Sequence, residues 1–179
     1  FRIKNVVVLG SGVMGSGIAC HLANIGLKVV MLDILPLVQK HKNNINRNTV
    51  AQEALNRAIK SKPAPLFKNV YASRIKVGNF EDDFEKIRNA DWIIEVVVER
   101  LDIKQNIFEK VEKYRKTGSI VSSNTSSIPI SQLSQGRSDV FKKHFCGTHF
   151  FNPPRYLRLL EIIPTPETEP ELIDFLMHF

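Results

Sequence analysis

Blocks of apolar and polar positions along the chain change period in a regular way. Val6 to Leu9 is an unbroken apolar run, the pattern of a strand covered on both faces. Beyond a glycine-rich turn, Ile18, Leu22 and Ile25 recur at helical spacing, Gly26 can end that helix, and Lys28 to Leu32 forms a second strand finishing at Asp33. Leu35 to Ser61 is polar and basic, with Val50, Ala54, Leu55, Ala58 and Ile59 at helical intervals, and reads as one long helix or a helical hairpin. Pro63 and Pro65 break it, and a loop runs to about Ala72. Arg74 to Gly78 predicts a third strand, Glu81 to Ile87 an acidic helical turn, and Asp91 to Val98 a central strand ending at Glu99. A helix follows along Ile103, Ile107, Phe108 and Val111, closed by Gly118. Then come a strand over Ser119–Ser123, a polar loop over Asn124–Ser127, and a short helix near Ile130–Leu133. Strands around Cys146–Phe150 and Leu159–Ile163 and a helix over Glu171–His178 complete the chain.

Alternating strands and helices predict an α/β fold: a Rossmann-type, doubly wound, mostly parallel sheet with helices on both faces and a helical insertion over about residues 36–70. In such sheets ligands bind beyond the carboxyl ends of the strands. Four polar groups fall at predicted strand ends: the glycine turn, Glu99, Asn124–Ser127, and the segment from His149 to Pro154.

Length adds that the 179 residues suffice for one well-cored domain, without a separate second one. A 43% hydrophobic and 24% charged composition is that of a soluble protein, and no apolar run approaches the roughly 20 residues of a membrane span. Phe1 is not an initiator methionine, so residues are expected before it. Cys20 and Cys146, the only cysteines, lack metal-ligand spacing, and no metal site is read. Both read as reduced core thiols, in keeping with the cytoplasm or an organellar matrix. A net charge of +7 suggests an anionic partner, and no nucleic-acid-binding signature accompanies it, so the reading is a polyphosphate ligand and no nucleic acid. Lys40, Lys42, Arg47, Arg57, Lys60 and Lys62 concentrate that charge.

The chemistry starts at Gly10, Gly12 and Gly15, which fall as G-x-G-x-x-G between strand and helix. Gly10 would permit the turn, Gly12 would let a pyrophosphate approach the backbone, and Gly15 would let the helix pack closely on its strand. The phosphates would meet the positive end of the helix. Asp33, about 20 residues on, would bind an adenosine ribose and repel a 2′-phosphate, which favours NAD over NADP. His149 ends a strand just before two prolines, and Glu161 lies among aliphatic residues, where a carboxylate is costly to bury without a polar partner. Paired, the carboxylate would orient the imidazole and leave the other ring nitrogen to take a proton. Oxidising an alcohol with a nicotinamide needs such a base.

Four stretches in order resemble the NAD-binding domain of the 3-hydroxyacyl-CoA dehydrogenases: Gly10-Ser-Gly-Val-Met-Gly15; Val96-Val-Val-Glu99 with Lys104; Ser123-Asn-Thr-Ser-Ser127; and His149-Phe-Phe-Asn-Pro153 with Glu161. The resemblance implies oxidation of L-3-hydroxyacyl-CoA to 3-ketoacyl-CoA in fatty-acid β-oxidation. It makes His149 the catalytic base, Glu161 its orienting partner and Ser126 a hydrogen-bond donor to the substrate oxygen. Val13, Met14, Glu99, Lys104, Asn124 and Asn152 join the glycines and Asp33 as residues contacting NAD or its surroundings. Ser126 also fits a helix cap, and Glu99 could cap the following helix. Members of the family continue into a helical domain that closes over the acyl-CoA and usually forms a homodimer. That domain is absent from residues 1–179, so the fragment is expected to bind NAD and to turn over poorly alone. Lys62-Pro-Ala-Pro-Leu66, Asp91-Trp-Ile-Ile-Glu-Val-Val-Val-Glu99 and Thr148-His-Phe-Phe-Asn-Pro153 are similar to the long, multifunctional members that precede an enoyl-CoA hydratase region. There, the basic stretch Arg47–Lys68 and then Arg155 and Arg158 would meet the phosphates of CoA. A dehydrogenase of small 3-hydroxy acids and a non-catalytic NAD-binding relative are the alternatives.

Overall fold

A computed structural model describes residues 1–37 and 46–179. Seven strands form one sheet: β1 (Asn5–Leu9), β2 (Lys28–Asp33), β3 (Ile75–Asn79), β4 (Trp92–Glu95), β5 (Ile120–Ser123), β6 (Phe145–Phe150) and β7 (Leu160–Ile163). Their spatial order is β3-β2-β1-β4-β5-β6-β7; neighbours are parallel throughout except β7, which runs antiparallel to β6. The helices are α1 (Val13–Asn24), α2 (Thr49–Lys60), α3 (Leu101–Tyr114), α4 (Ile130–Leu133), α5 (Asp139–Lys143) and α6 (Pro170–His178). Short 3-10 turns cover Asn69–Arg74 and Phe84–Asn89.

Side-chain alternation in β1 shows why the sheet needs covering on both sides. Val6 and Val8 join a core with Trp92, Ile94, and residues of α1, α2 and α6, while Val7 and Leu9 join another with Ile93, Phe108, Val121, Phe141 and Phe145. The order reverses between β1 and β4, which opens a crevice at their carboxyl ends. No helix among the described residues is long and apolar enough to cross a membrane.

Several predicted boundaries move for physical reasons. Of Asp91–Val98 only Trp92–Glu95 pairs; Val96 N–H still donates to Leu9 O, but β1 and β5 end there, and the remaining valines run on as a wall above the sheet. Of the long basic helix, α2 occupies Thr49–Lys60, Leu35–Leu37 is irregular, and Lys40 and Lys42 lie outside the described residues. The acidic turn forms three residues later, over Phe84–Asn89. Gly118, at φ +80°, turns the chain into β5 and does not close α3, which already ends at Tyr114. Helix α5 and the turn at Asn69–Arg74 are absent from the sequence reading; Ser138, whose side chain accepts from Phe141 N–H, is the cap that marks α5.

Two glycines set the position of α1. Gly10 adopts φ +106°, and a Cβ there would stand 2.5 Å from Val96 O. A Cβ on Gly15 would fall inside the van der Waals envelope of Gly10 O, so the helix crosses the end of β1 at a separation no other residue permits. Gly15→Ala is expected to cost about 1–3 kcal/mol through overpacking, a fall of roughly 3 to 10 °C in Tm, with loss of NADH binding; thermal melts and a fluorescence titration check both.

Candidate active site

The crevice between β1 and β4 is a cavity of about 640 Å³ lined by Gly10, Gly12, Val13, Met14, Asp33, Val96–Glu99, Lys104 and Asn124, together with Ser11, Ile34, Phe80, Ile103 and Ile107. Helix α1 points its first turn into it and carries no acidic residue there, so its unpaired N–H groups and dipole favour an anion. Nothing lies within 4 Å of where a Cβ on Gly12 would stand, which leaves room for a pyrophosphate against the backbone. Asp33 ends β2 at the rim. Its Oδ2 accepts from Ser11 N–H at 2.6 Å and from Ser11 Oγ at 2.5 Å, and its Oδ1 from Ile34 N–H at 2.7 Å. The carboxylate thus holds the glycine turn while facing the cavity, and these features fit a dinucleotide.

Behind the opposite wall lies a buried charged network. Lys104 and Glu95 are 1% and 0% exposed, and Lys104 Nζ donates to Glu95 Oε1 at 2.6 Å. Val97 N–H donates to the same oxygen at 2.7 Å, and Ser123 Oγ donates to Oε2 at 2.5 Å. Burial pushes the Glu95 carboxyl upward; Lys104, Ser123 and Val97 oppose it. Lys104 Nζ also stands 3.2 Å from Glu99 Oε2. Glu99 Oε1 accepts from Thr125 Oγ1 and from Ser127 Oγ at 2.9 Å. Burial raises the Glu99 carboxyl, but these hydroxyls and the ammonium outweigh it and hold the pKa at about 2. Glu99 therefore spans the cofactor cavity and the Thr125–Ser127 loop. Ser126 sits between the two clamped residues.

The third group sits at the ends of β6 and β7. His149 and Glu161 are directly opposed across the antiparallel pair, and His149 Nδ1 lies 2.8 Å from Glu161 Oε2. The burial argument for Glu161 does not hold: β7 is the edge strand, and the Glu161 side chain is 50% exposed. The pairing comes from register instead. His149, Glu161 and Ser126 line one cavity of about 290 Å³. Asn124, whose Oδ1 accepts from Phe150 N–H at 2.8 Å, links this group to the cofactor cavity.

Asn152 lies elsewhere, in a cavity of about 390 Å³ on the far side of the glycine turn, with Gly12, Val13, Arg57, Ser61 and Arg155. Arg57 is exposed there, 3.7 Å from Glu53. Arg155 is partly spent on structure, donating to Ala64 O and Leu66 O, while Arg47 pairs with Asp82 and Arg158 lines a different cavity. Both cysteines are buried free thiols, pushed up by that burial to about 11 for Cys20 and about 12 for Cys146.

Sequence reading passed over Ser11, Glu95, Ser123 and Thr125. Glu95 had a signal, being an acid inside the most apolar strand. The hydroxyls had none, because serine and threonine in turns and at strand ends are ordinary.

Residues 5–179 match a sequence model described as 3-hydroxyacyl-CoA dehydrogenase, NAD binding domain. A Bacillus subtilis (strain 168) protein named "Probable 3-hydroxyacyl-CoA dehydrogenase" is 53% identical over 99% of this chain and 24% of its own length. A Rickettsia felis protein, named as a candidate fatty acid oxidation complex trifunctional enzyme, is 43% identical over 97% of this chain and 23% of its own length. Among solved structures, the dehydrogenase part of multifunctional enzyme 1 from Caenorhabditis elegans superposes with a TM-score of 0.80 at 25% identity, covering 99% of this chain and 39% of that one. The chain thus spans about a quarter of the length of these two relatives.

The low Glu99 pKa has a sign. A folded value of about 2 against an ordinary 4.5 means stability that is fully present above about pH 4.5 and is lost as pH falls toward 2. Glu99→Gln is expected to be less stable than wild type by a constant margin from about pH 7 to 5, and the margin should shrink steadily below 4.5. Urea unfolding across that range measures it, and an unchanged margin at about pH 3 would refute the assignment.

Proposed function

The chain belongs to the 3-hydroxyacyl-CoA dehydrogenase family as its NAD-binding domain, and from that premise we propose that it oxidises L-3-hydroxyacyl-CoA to 3-ketoacyl-CoA, with His149 as the base. The observation that carries this is the Glu161–His149 pair, 2.8 Å apart, sharing a cavity with Ser126. Glu161 fixes the tautomer: bonded at Nδ1, His149 keeps Nε2 for the substrate hydroxyl. As the hydroxyl proton moves to Nε2, the carboxylate stabilises the imidazolium. Ser126 Oγ donates to the same substrate oxygen. The glycine turn and Asp33 would hold NAD, which would supply the hydride acceptor. Exposure of Glu161 keeps its charge solvated until a substrate covers the site.

Coenzyme A is a polyanion on a long thioester arm. Arg57 is the cation best placed to meet it, in the cavity that adjoins the glycine turn and includes Asn152. The exposed Lys60 and Lys62 extend that charge. Fatty-acid β-oxidation as the setting draws support from the name of the Rickettsia relative. The relatives are about four times as long as this chain, and the further helical domain that the family resemblance implies, closing over the acyl chain and forming a homodimer, would lie in that added length. Two buried thiols suit a reducing compartment, cytoplasmic or an organellar matrix.

Calorimetric titration is expected to show NADH binding that Asp33→Ala weakens by about tenfold, the loss of roughly one charge-assisted hydrogen bond, with NADPH much poorer; equal NADPH affinity would overturn the role of Asp33. Consumption of NADH with acetoacetyl-CoA, followed by absorbance in the longer protein because residues 1–179 are expected to turn over poorly alone, tests the chemistry. His149→Ala is expected to lose about 10²–10⁴-fold in rate without losing NADH affinity. A wild-type rate in that variant would refute the proposal.

A further inference from the structure

Glu95 poses a problem that the reaction does not solve. Its side chain is 0% exposed, it lies behind the lining of the cofactor cavity, and it faces none of the substrate positions argued above. Burying an ion pair is costly enough that apolar residues of similar size often serve stability as well or better. What the pair connects is therefore the reason to look for.

Its partners form a closed ring. From Glu95 Oε1 the path runs to Lys104 Nζ, on to Glu99 Oε2, and across that carboxylate to Thr125 Oγ1. Thr125 N–H donates to Ser123 Oγ at 3.3 Å, and Ser123 Oγ returns to Glu95 Oε2. Asn124, inside the ring, donates its N–H to Glu95 O at 2.9 Å. One half of the ring, Lys104 and Glu99, is wall of the cofactor cavity; the other half, Ser123 and Thr125, is the base of the loop that carries Ser126.

We propose that Glu95 is a positioning residue, whose single carboxylate ties the cofactor wall to the Ser126 loop so that NAD binding sets the substrate-facing hydroxyl. The inference rests on the cofactor reading of the cavity. Its effect travels through Lys104, and the groups around that ammonium are few: Glu95 from β4, Glu99 before α3, and Asp33 across the cavity. On α3 itself Asp102 is paired with Arg100, while β5 and α4 present no charge. Removing the Glu95 charge leaves Lys104 with Glu99 as its one contacting carboxylate and opens the ring at both Glu95 oxygens.

The test compares wild type with Glu95→Gln by NADH fluorescence titration at neutral pH, and by amide hydrogen exchange over residues 123–128 with and without saturating NADH. Expected in wild type is slower exchange of that segment when NADH binds. In Glu95→Gln the affinity should fall by about tenfold, the scale of one lost hydrogen bond to a charged group. NADH at saturation should then no longer slow exchange over 123–128. A merely structural role would lower Tm but leave the NADH-induced protection intact, and that result overturns the proposal. If Glu95→Gln does not fold, Glu95→Asp replaces it: the shorter carboxylate keeps the charge but cannot reach Lys104 and Ser123 together, so protection should vanish. Retained protection in that variant also overturns the proposal. Failure of wild type to bind NADH at all would refute the cofactor reading itself, and this inference with it.

Discussion

One close contact governs where everything else sits. Helix α1 passes over the end of β1 with Gly15 against the carbonyl oxygen of Gly10, and Gly10 itself is turned to φ +106° under Val96. Because no Cβ intervenes, the first turn of α1 stands directly above the crevice where the strand order reverses. Its unpaired amides then face a cavity whose floor is made of strand ends. A helix displaced by even one methyl group would leave the crevice and lose the Ser11–Asp33 bonds that lock the turn to β2. Backbone geometry here precedes side-chain chemistry: the helix start stands open over the crevice because two positions have no side chain.

The same distinction explains what could be read from the chain and what could not. Glycine spacing, the apolar run of β1 and the acid ending β2 are local signals, and each reports a local requirement, so turn, helix and rim carboxylate were visible together. Strand β4 was overextended because Val96–Val98 are as apolar as the paired residues before them; pairing ends where the neighbouring strands end, which is a property of the partners. The His149–Glu161 pair was found for a reason that fails. Glu161 is half-exposed at a sheet edge, and the two meet because the return of the chain over Pro153–Leu159 sets the antiparallel register that opposes them. Hydroxyl networks carry still less local signal, since Ser123 and Thr125 matter only once β4 and β5 stand side by side.

The two charged groups of the site are built to opposite specifications. Glu161 stands half-exposed on the edge strand β7, opposed to His149 on β6, whose ring is mostly covered. Lys104, reaching in from α3, meets Glu95 at the end of the central strand β4, where water cannot rearrange around them and each holds the other in place. The oxidation proposed here, which moves a proton and a hydride between separately bound partners, would use both kinds of site: one that takes up the proton, and one that does not move while it happens. Glu99 joins them. Half-exposed on the cavity side and bonded to Thr125 and Ser127 on the other, it passes the rigidity of the centre outward to the loop facing the edge. With its pKa held at about 2, the Glu99 carboxylate stays ionised at neutral pH, so its bonds to Lys104, Thr125 and Ser127 would persist through the proton transfer proposed for His149.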